Sequence, residues 1–322
     1  MLKAISSVFS DYAAYAANES DMIIIAKKTG TLPRPDRAVM EIPDITQLLR
    51  RIKIESMQDL EIRRIGDRRF LRELLAAFPV SANSDYYPFL DQNAARARFL
   101  RANAQDLLDP SHLLLPALDL LTDSATRETT NITPSEVFYP SRFAYASMAL
   151  RDHCLSGGSD RAVEIIPPAI MMNMMKFKET FCECRPATSE TERYLPLINS
   201  SIMITSYLAP GELSAVWDKV TSVPCSSSLS ASEKNWISLF RATGERDSAS
   251  MVRLANTLLE TEVQMTRSAA RYLVAAGMAG SLMQDDRQGA HNLWTTYRSE
   301  LFDAAGPDLL FQLLAAKSTS TN

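Results

Sequence analysis

The sequence predicts a mainly α-helical protein that opens on a β-hairpin and continues as a helical array. Three observations predict it. Only ten of the 322 residues are glycine, under half the usual share of roughly 7%. Two strand-like runs, Tyr12–Ala17 and Met22–Ala26, stand near the start with Asn18-Glu19-Ser20 as the turn between them, and no strong strand candidate follows. From Ser230 onward, apolar residues recur at helical spacing in two successive helix pairs.

The elements follow in order. Leu2–Phe9 reads as the end of an amphipathic helix. The second strand, Met22-Ile23-Ile24-Ile25-Ala26, is apolar throughout, which predicts burial on both faces. A lone hairpin is marginal in water. The remaining strands are therefore expected from outside this chain, either ahead of Met1 or from a partner. Gly30–Pro43, with Pro33, Pro35 and Pro43, reads as a linker. Asp67 is placed to cap a helix carrying Phe70, Leu71, Leu74, Leu75 and Phe78 on one face. A loop from Pro79 to Pro88 precedes a longer predicted helix, Asp91–Leu108, stopped by Asp109-Pro110.

Residues 110–225 read as irregular helices broken by prolines. Beyond them, Glu233–Thr243 and Asp247–Glu260 form one predicted pair, broken at Gly244. Arg267–Met283 and Arg287–Leu301 form the second, broken at Gln284-Asp285-Asp286. Small and large residues such as Ala270, Leu273, Ala276 and Ala279 suit packed helices. The offset of roughly 38 residues lies near the roughly 34 of tetratricopeptide repeats, and other helical hairpins fit as well. The organisation expected is 1–30, 31–108 and 109–322.

Charge and composition exclude several functions. A net charge of −4 argues against a generally basic nucleic-acid binder. The charge is uneven: residues 47–101 carry +4 and the rest −8. Solvated helix faces are the preferred reading of the basic stretch, and a docking surface for an acidic partner is the sharper one. The glycines form neither G-x-G-x-x-G nor G-x-x-x-x-G-K-[ST], so the commonest phosphate-cradling loops are absent. No run of about 18 apolar residues predicts a membrane span, and no signal-peptide pattern opens the chain. Four cysteines in a chain this long fit a reducing compartment. A cytoplasmic location is expected, with tethering to the inner membrane through a region ahead of Met1 as the variant.

Few residues suggest chemistry. Cys182-Glu183-Cys184 with His153-Cys154 upstream lacks the second pair of a structural zinc site. Buried inert thiols are preferred, and no metal is expected. The three histidines, His112, His153 and His291, read as surface or packing residues rather than general bases. Asp285-Asp286 reads as helix capping. Ser156-Gly157-Gly158-Ser159-Asp160 reads as a flexible loop before an anion nest. Met171-Met172-Asn173-Met174-Met175 reads as the buried side of a helix, with an adaptable binding surface as the alternative.

Three stretches resemble the C-terminal part of the spermidine synthase-like family, polyamine aminopropyltransferase relatives with a methyltransferase-type Rossmann domain. Phe9-Ser10-Asp11-Tyr12, Tyr15, Asn18 and Asp21, running into Met22–Ala26, resembles that domain's last helix and closing hairpin. Leu60 to Phe78, with Ile65-Gly66-Asp67 and Leu74-Leu75, is similar to the short helices that follow it. Asn83-Ser84-Asp85-Tyr86-Tyr87-Pro88-Phe89-Leu90-Asp91, then Ala95-Arg96 and Phe99, looks like the family's N-[ST]-D-x-x-P-x-[LI]-[DE] segment, with Tyr86 in place of its common acidic residue. Asn83, Ser84, Asp85, Pro88 and Asp91 are the family-like motif, of unknown role. The match covers about a third of the chain.

The resemblance implies that the hairpin is a remnant of a Rossmann-type domain. The glycine-rich loop for decarboxylated S-adenosylmethionine or S-adenosylmethionine, the ribose-binding acid and the catalytic aspartate would lie ahead of Met1. None falls on a residue here. The complete protein would transfer an aminopropyl group to a polyamine acceptor, and this chain would be inactive alone. Its expected partner is the catalytic region, as a preceding segment or a separate subunit. The competing reading is a tetratricopeptide-like interaction scaffold; an unrecognised helical enzyme is the third.

Overall fold

The structure is a computed structural model that describes residues 1–84, 86, 88, 92–93, 95–96, 105–107, 114–122, 127–158, 165–185, 190–222, 225–262, 265–304 and 306–320. The fold is mainly helical with a small antiparallel sheet at the N-terminal end, as the sequence predicts. After α1 (Leu2–Val8) come β1 (Asp11–Ala16) and β2 (Met22–Lys27). A short helical turn over Arg37–Glu41 lies in the proline-rich linker before α2 (Pro43–Arg51) and α3 (Met57–Glu61). Then come β3 (Arg64–Asp67) and α4 (Arg68–Ala77).

The sheet order is β2-β1-β3. Tyr12 stands opposite Ala26 and Tyr15 opposite Ile23, while Ala14 faces Gly66 across the other ladder. Two expectations need correction. The chain supplies a third strand of its own, so the hairpin is not alone. The strand buried along its length is β1, where Tyr12 through Ala16 are buried, whereas β2 alternates. Uniform apolarity misled here because β2 is an edge strand: its Ile23 and Ile25 point away from the core.

β3 escapes a sequence reading because it is four residues long and runs straight into a helix. Gly66 makes the fold-back possible: a Cβ there would sit 2.7 Å from Phe70 Cδ1. Asp67 caps α4 as expected, its Oδ1 accepting from the Phe70 N–H at 2.9 Å. Phe70, Leu71, Leu74 and Leu75 are buried on that helix.

Asp59 ties the N-terminal region to the helices beyond it. It is 2% exposed and closes a capping box with Ser56. Its carboxylate accepts from the Ser56 N–H at 2.9 Å and the Thr133 N–H at 2.6 Å. Arg63 lies 4.5 Å over the Phe138 ring and donates to the Ala17 carbonyl at 2.8 Å. Burial lowers its pKa and the charge of Asp59 opposes that shift. Arg63 and Arg64 are both buried, so this part of the basic stretch is structural rather than a solvated face.

The helical part continues with α5 (Ala117–Leu121), α6 (Tyr139–Ser156) and α7 (Pro168–Phe177). α7 runs on as a π-helical turn, Lys178–Cys182. Then follow α8 (Glu190–Tyr207) and α9 (Pro210–Thr221). The C-terminal helices are α10 (Ala231–Glu245), α11 (Ser248–Thr261), α12 (Arg267–Met283), α13 (Arg287–Leu301) and α14 (Leu309–Thr319). Each of these five packs on the next. α10 runs through Gly244 and ends instead at Arg246, which takes a left-handed φ of 58°. Asp286 caps α13 by accepting from the Gly289 N–H at 2.8 Å, as expected.

The core runs through α9, α10 and α12. Trp217, Trp236, Phe240 and Tyr272 are fully buried. Phe240 lies 5.7 Å from Trp236 and 4.8 Å from Tyr272 between ring centroids. Burial raises the Tyr272 pKa, opposed by its hydrogen bond with Thr243. At the far end, α14 returns to pack on α4. Lys317 Nζ donates to Glu73 Oε2 and to the Arg69 carbonyl, both at 3.0 Å.

Candidate functional site

The N-terminal edge presents apolar side chains that no element among the described residues covers. On β2, Met22, Ile24 and Ala26 turn to the core, while Ile23 and Ile25 are 56% and 45% exposed. Among the described residues β2 has a strand on one side only, so its outer backbone edge is a template for further pairing. α2 has no buried residue, and Leu48 on it, with Ile42 and Ile52 at its ends, is exposed. Its first turn carries Asp44 and its last turn Arg50 and Arg51, an arrangement matched to the helix dipole. The helix is therefore locally favoured while Leu48 stays exposed and Ile45 and Leu49 are only partly buried.

A second feature is a cleft of about 630 Å³ between α4, α5 and the ends of α12 and α14. Five cationic side chains line it (Arg69, Arg72, Arg246, Arg287 and Lys317), against Glu73, Asp119 and Asp285. Burial disfavours the charged form of Glu73. The charge and hydrogen bond of Lys317, with help from its own backbone and Arg72, outweigh that and hold its carboxyl below the usual carboxylate range. The Arg287 guanidinium donates to the Ser320 carbonyl. The cationic excess suits an anionic group and works against a polyamine. Neither described histidine, His153 or His291, lines this cleft.

Of the family-like motif, Asn83 and Pro88 are half-buried and Ser84 is exposed, and none of the three lines the cleft. Asp85 and Asp91 lie outside the described residues, as do His112, Ser159, Asp160 and most of the predicted helix Asp91–Leu108. The basic stretch gave partial notice of the cleft, because Arg69 and Arg72 belong to it. Arg246, Arg287 and Lys317 arrive through tertiary packing, with no local signal.

The cysteines correct another expectation. Cys154 pairs with Cys182 and Cys184 with Cys225, with Cα–Cα distances of 5.1 and 4.9 Å. They are not free thiols, and the cysteine count no longer argues for a reducing compartment. Among the described residues, no group of three or more His, Cys, Asp or Glu is arranged to hold a metal ion. No helix among them is long and apolar enough to cross a membrane.

Comparison with known protein families, with characterised proteins and with solved structures gives no match to this chain.

Proposed function

We propose that this chain is the C-terminal portion of a spermidine synthase-like transferase, docked through the outer side of β2 onto the Rossmann-type catalytic region. The observation that carries the reading is the β2 edge, where Ile23 and Ile25 stand exposed beside a backbone ladder that no other described strand pairs. Each is already about half covered, so burying the remainder would contribute about 1 kcal/mol per side chain. The motif resemblance supplies the identity of the occupant.

The nucleoside of that family does not fit the residues described here. Its loop needs glycines that leave room for a phosphate or sugar, and Gly66 after β3's start is filled against by Phe70 and Leu71. Decarboxylated S-adenosylmethionine or S-adenosylmethionine is therefore assigned to the partner region, and no chemical step is derived on this chain. The cationic cleft likewise is not the acceptor site.

The test is an assay of aminopropyl transfer from decarboxylated S-adenosylmethionine to putrescine. This chain alone should show no turnover. The same chain joined to or mixed with the Rossmann-type region encoded in frame with it, or beside it, should show turnover and co-elution. Enzyme-like turnover by the chain alone would refute the reading.

A second reading is a protein-interaction scaffold of tetratricopeptide type, favoured by the unbroken packing of α10 through α14. A partner that co-elutes through the C-terminal helices while β2 stays accessible would support it instead. The cytoplasmic setting is also a proposal. The two disulfides weigh against it, because such bonds persist mainly in oxidising compartments.

A further inference from the structure

We propose that the pocket between α6, α7 and the π-helical turn binds a soft monovalent metal ion, Cu(I), through the sulfurs of Met171, Met174 and Met175 and the imidazole of His153. The pocket measures about 420 Å³, and these four residues line it together. The inference is independent of the transferase reading.

The sequence places the donors. Met171, Met174 and Met175 stand at i, i+3 and i+4 on α7, hence on one helical face. Met174 forms the floor at 3% exposure and Met175 the mouth at 56%. His153 comes from the last turn of α6. The next residue, Cys154, is bonded to Cys182 at the end of the π-helical turn. That bond fixes the histidine's helix to the segment that follows the methionines. Single π-helical turns inside helices recur at functional sites.

Donor chemistry selects the ion. Thioether and imidazole are soft to borderline ligands, suited to Cu(I) and poorly suited to hard cations. All four cysteines are paired, so thioethers are the softest donors left. His153 Nδ1 is buried and has no hydrogen-bond partner in the protein, whereas buried polar groups normally have one. The cations at the mouth are compensated: Lys178 lies 3.2 Å from Glu183, and Arg185 3.0 Å from the same carboxylate. An incoming cation meets no net repulsion there. A pocket meant only for an apolar ligand would work equally well with leucine, and that difference is the test.

The probe is Ag(I), a redox-inert stand-in for Cu(I), titrated calorimetrically into the full chain in chloride-free buffer at pH 7. One equivalent should bind. A triple variant, Met171→Leu, Met174→Leu and Met175→Leu, should bind at least tenfold more weakly, as should His153→Gln. Leucine for methionine nearly conserves volume, so the core is kept. Met172→Leu is the control, because Met172 is exposed and does not line the pocket; its binding should match the parent. Absence of Ag(I) binding by the parent, or equal binding by the triple variant, would overturn the proposal. So would competition-free binding of a hydrophobic dye in the pocket alongside Ag(I). X-ray absorption on the Ag(I)-loaded parent needs no variant: sulfur neighbours support the site, and a shell of oxygen and nitrogen alone refutes it.

Discussion

Lys317 and Glu73 join the last helix to the fourth, and both side chains are largely covered, at 14% and 13% exposure. The Glu73 pKa is lowered in the folded protein. A carboxyl with a depressed folded pKa stabilises the fold above its unfolded value of about 4.3, and that contribution is lost as pH falls through the folded value. Denaturant unfolding of the parent and of Lys317→Met should therefore differ at pH 7, with the parent more stable. The gap should narrow as pH drops below about 4. A gap that persists unchanged at pH 2 would show that the lysine acts through packing alone. At the same scale, mass-spectrometric thiol counting after denaturing alkylation should find no free thiol in protein taken from its native compartment. Four alkylated cysteines would show that the pairs do not form there. Single residues were unevenly legible. The caps Asp67 and Asp286 could be read because capping acts over three residues. The Cys154–Cys182 pair could not, since its 28-residue separation is closed only by the packing of two helices.

At the scale of elements, the C-terminal helices were legible and the sheet only half so. Periodicity located α11, α12 and α13 because each buries one face against a neighbour. The small-residue face of α12 has a concrete purpose. A Cβ on Gly280 would meet the Ser248 carbonyl oxygen and Val252 Cγ2 at 3.0 Å, and Met251 Cβ at 3.1 Å. The first of these is backbone and cannot swing aside. Gly280→Ala should thus lower the melting temperature, although alanine in a free helix gains about 1 kcal/mol over glycine. A raised melting temperature would mean that α11 and α12 part easily. β2 was misjudged for a different reason. An all-apolar strand looks the same whether buried twice or left open at an edge, and only its neighbours decide. The third strand hid behind its brevity.

At the scale of the whole molecule, α14 against α4 brings the C-terminal end of the helical run back to the N-terminal sheet region. The basic cleft exists only because of that return, which explains why the sequence announced two of its cations and not the other three. At the N-terminal edge, Ile23 and Ile25 stay exposed among the described residues. The described residues of the family-like motif, Asn83, Ser84 and Pro88, do not line the cleft. The proposed docking of β2 onto a Rossmann-type catalytic region belongs to this scale. The most direct measurement is the affinity of the chain for that region, by titration, with and without the double change Ile23→Lys and Ile25→Lys. Both side chains are exposed in the free chain, so the change should leave its melting temperature almost unmoved. The parent should bind tightly and the variant at least a hundredfold more weakly, with aminopropyl transfer falling in step. Equal binding by parent and variant would contradict it.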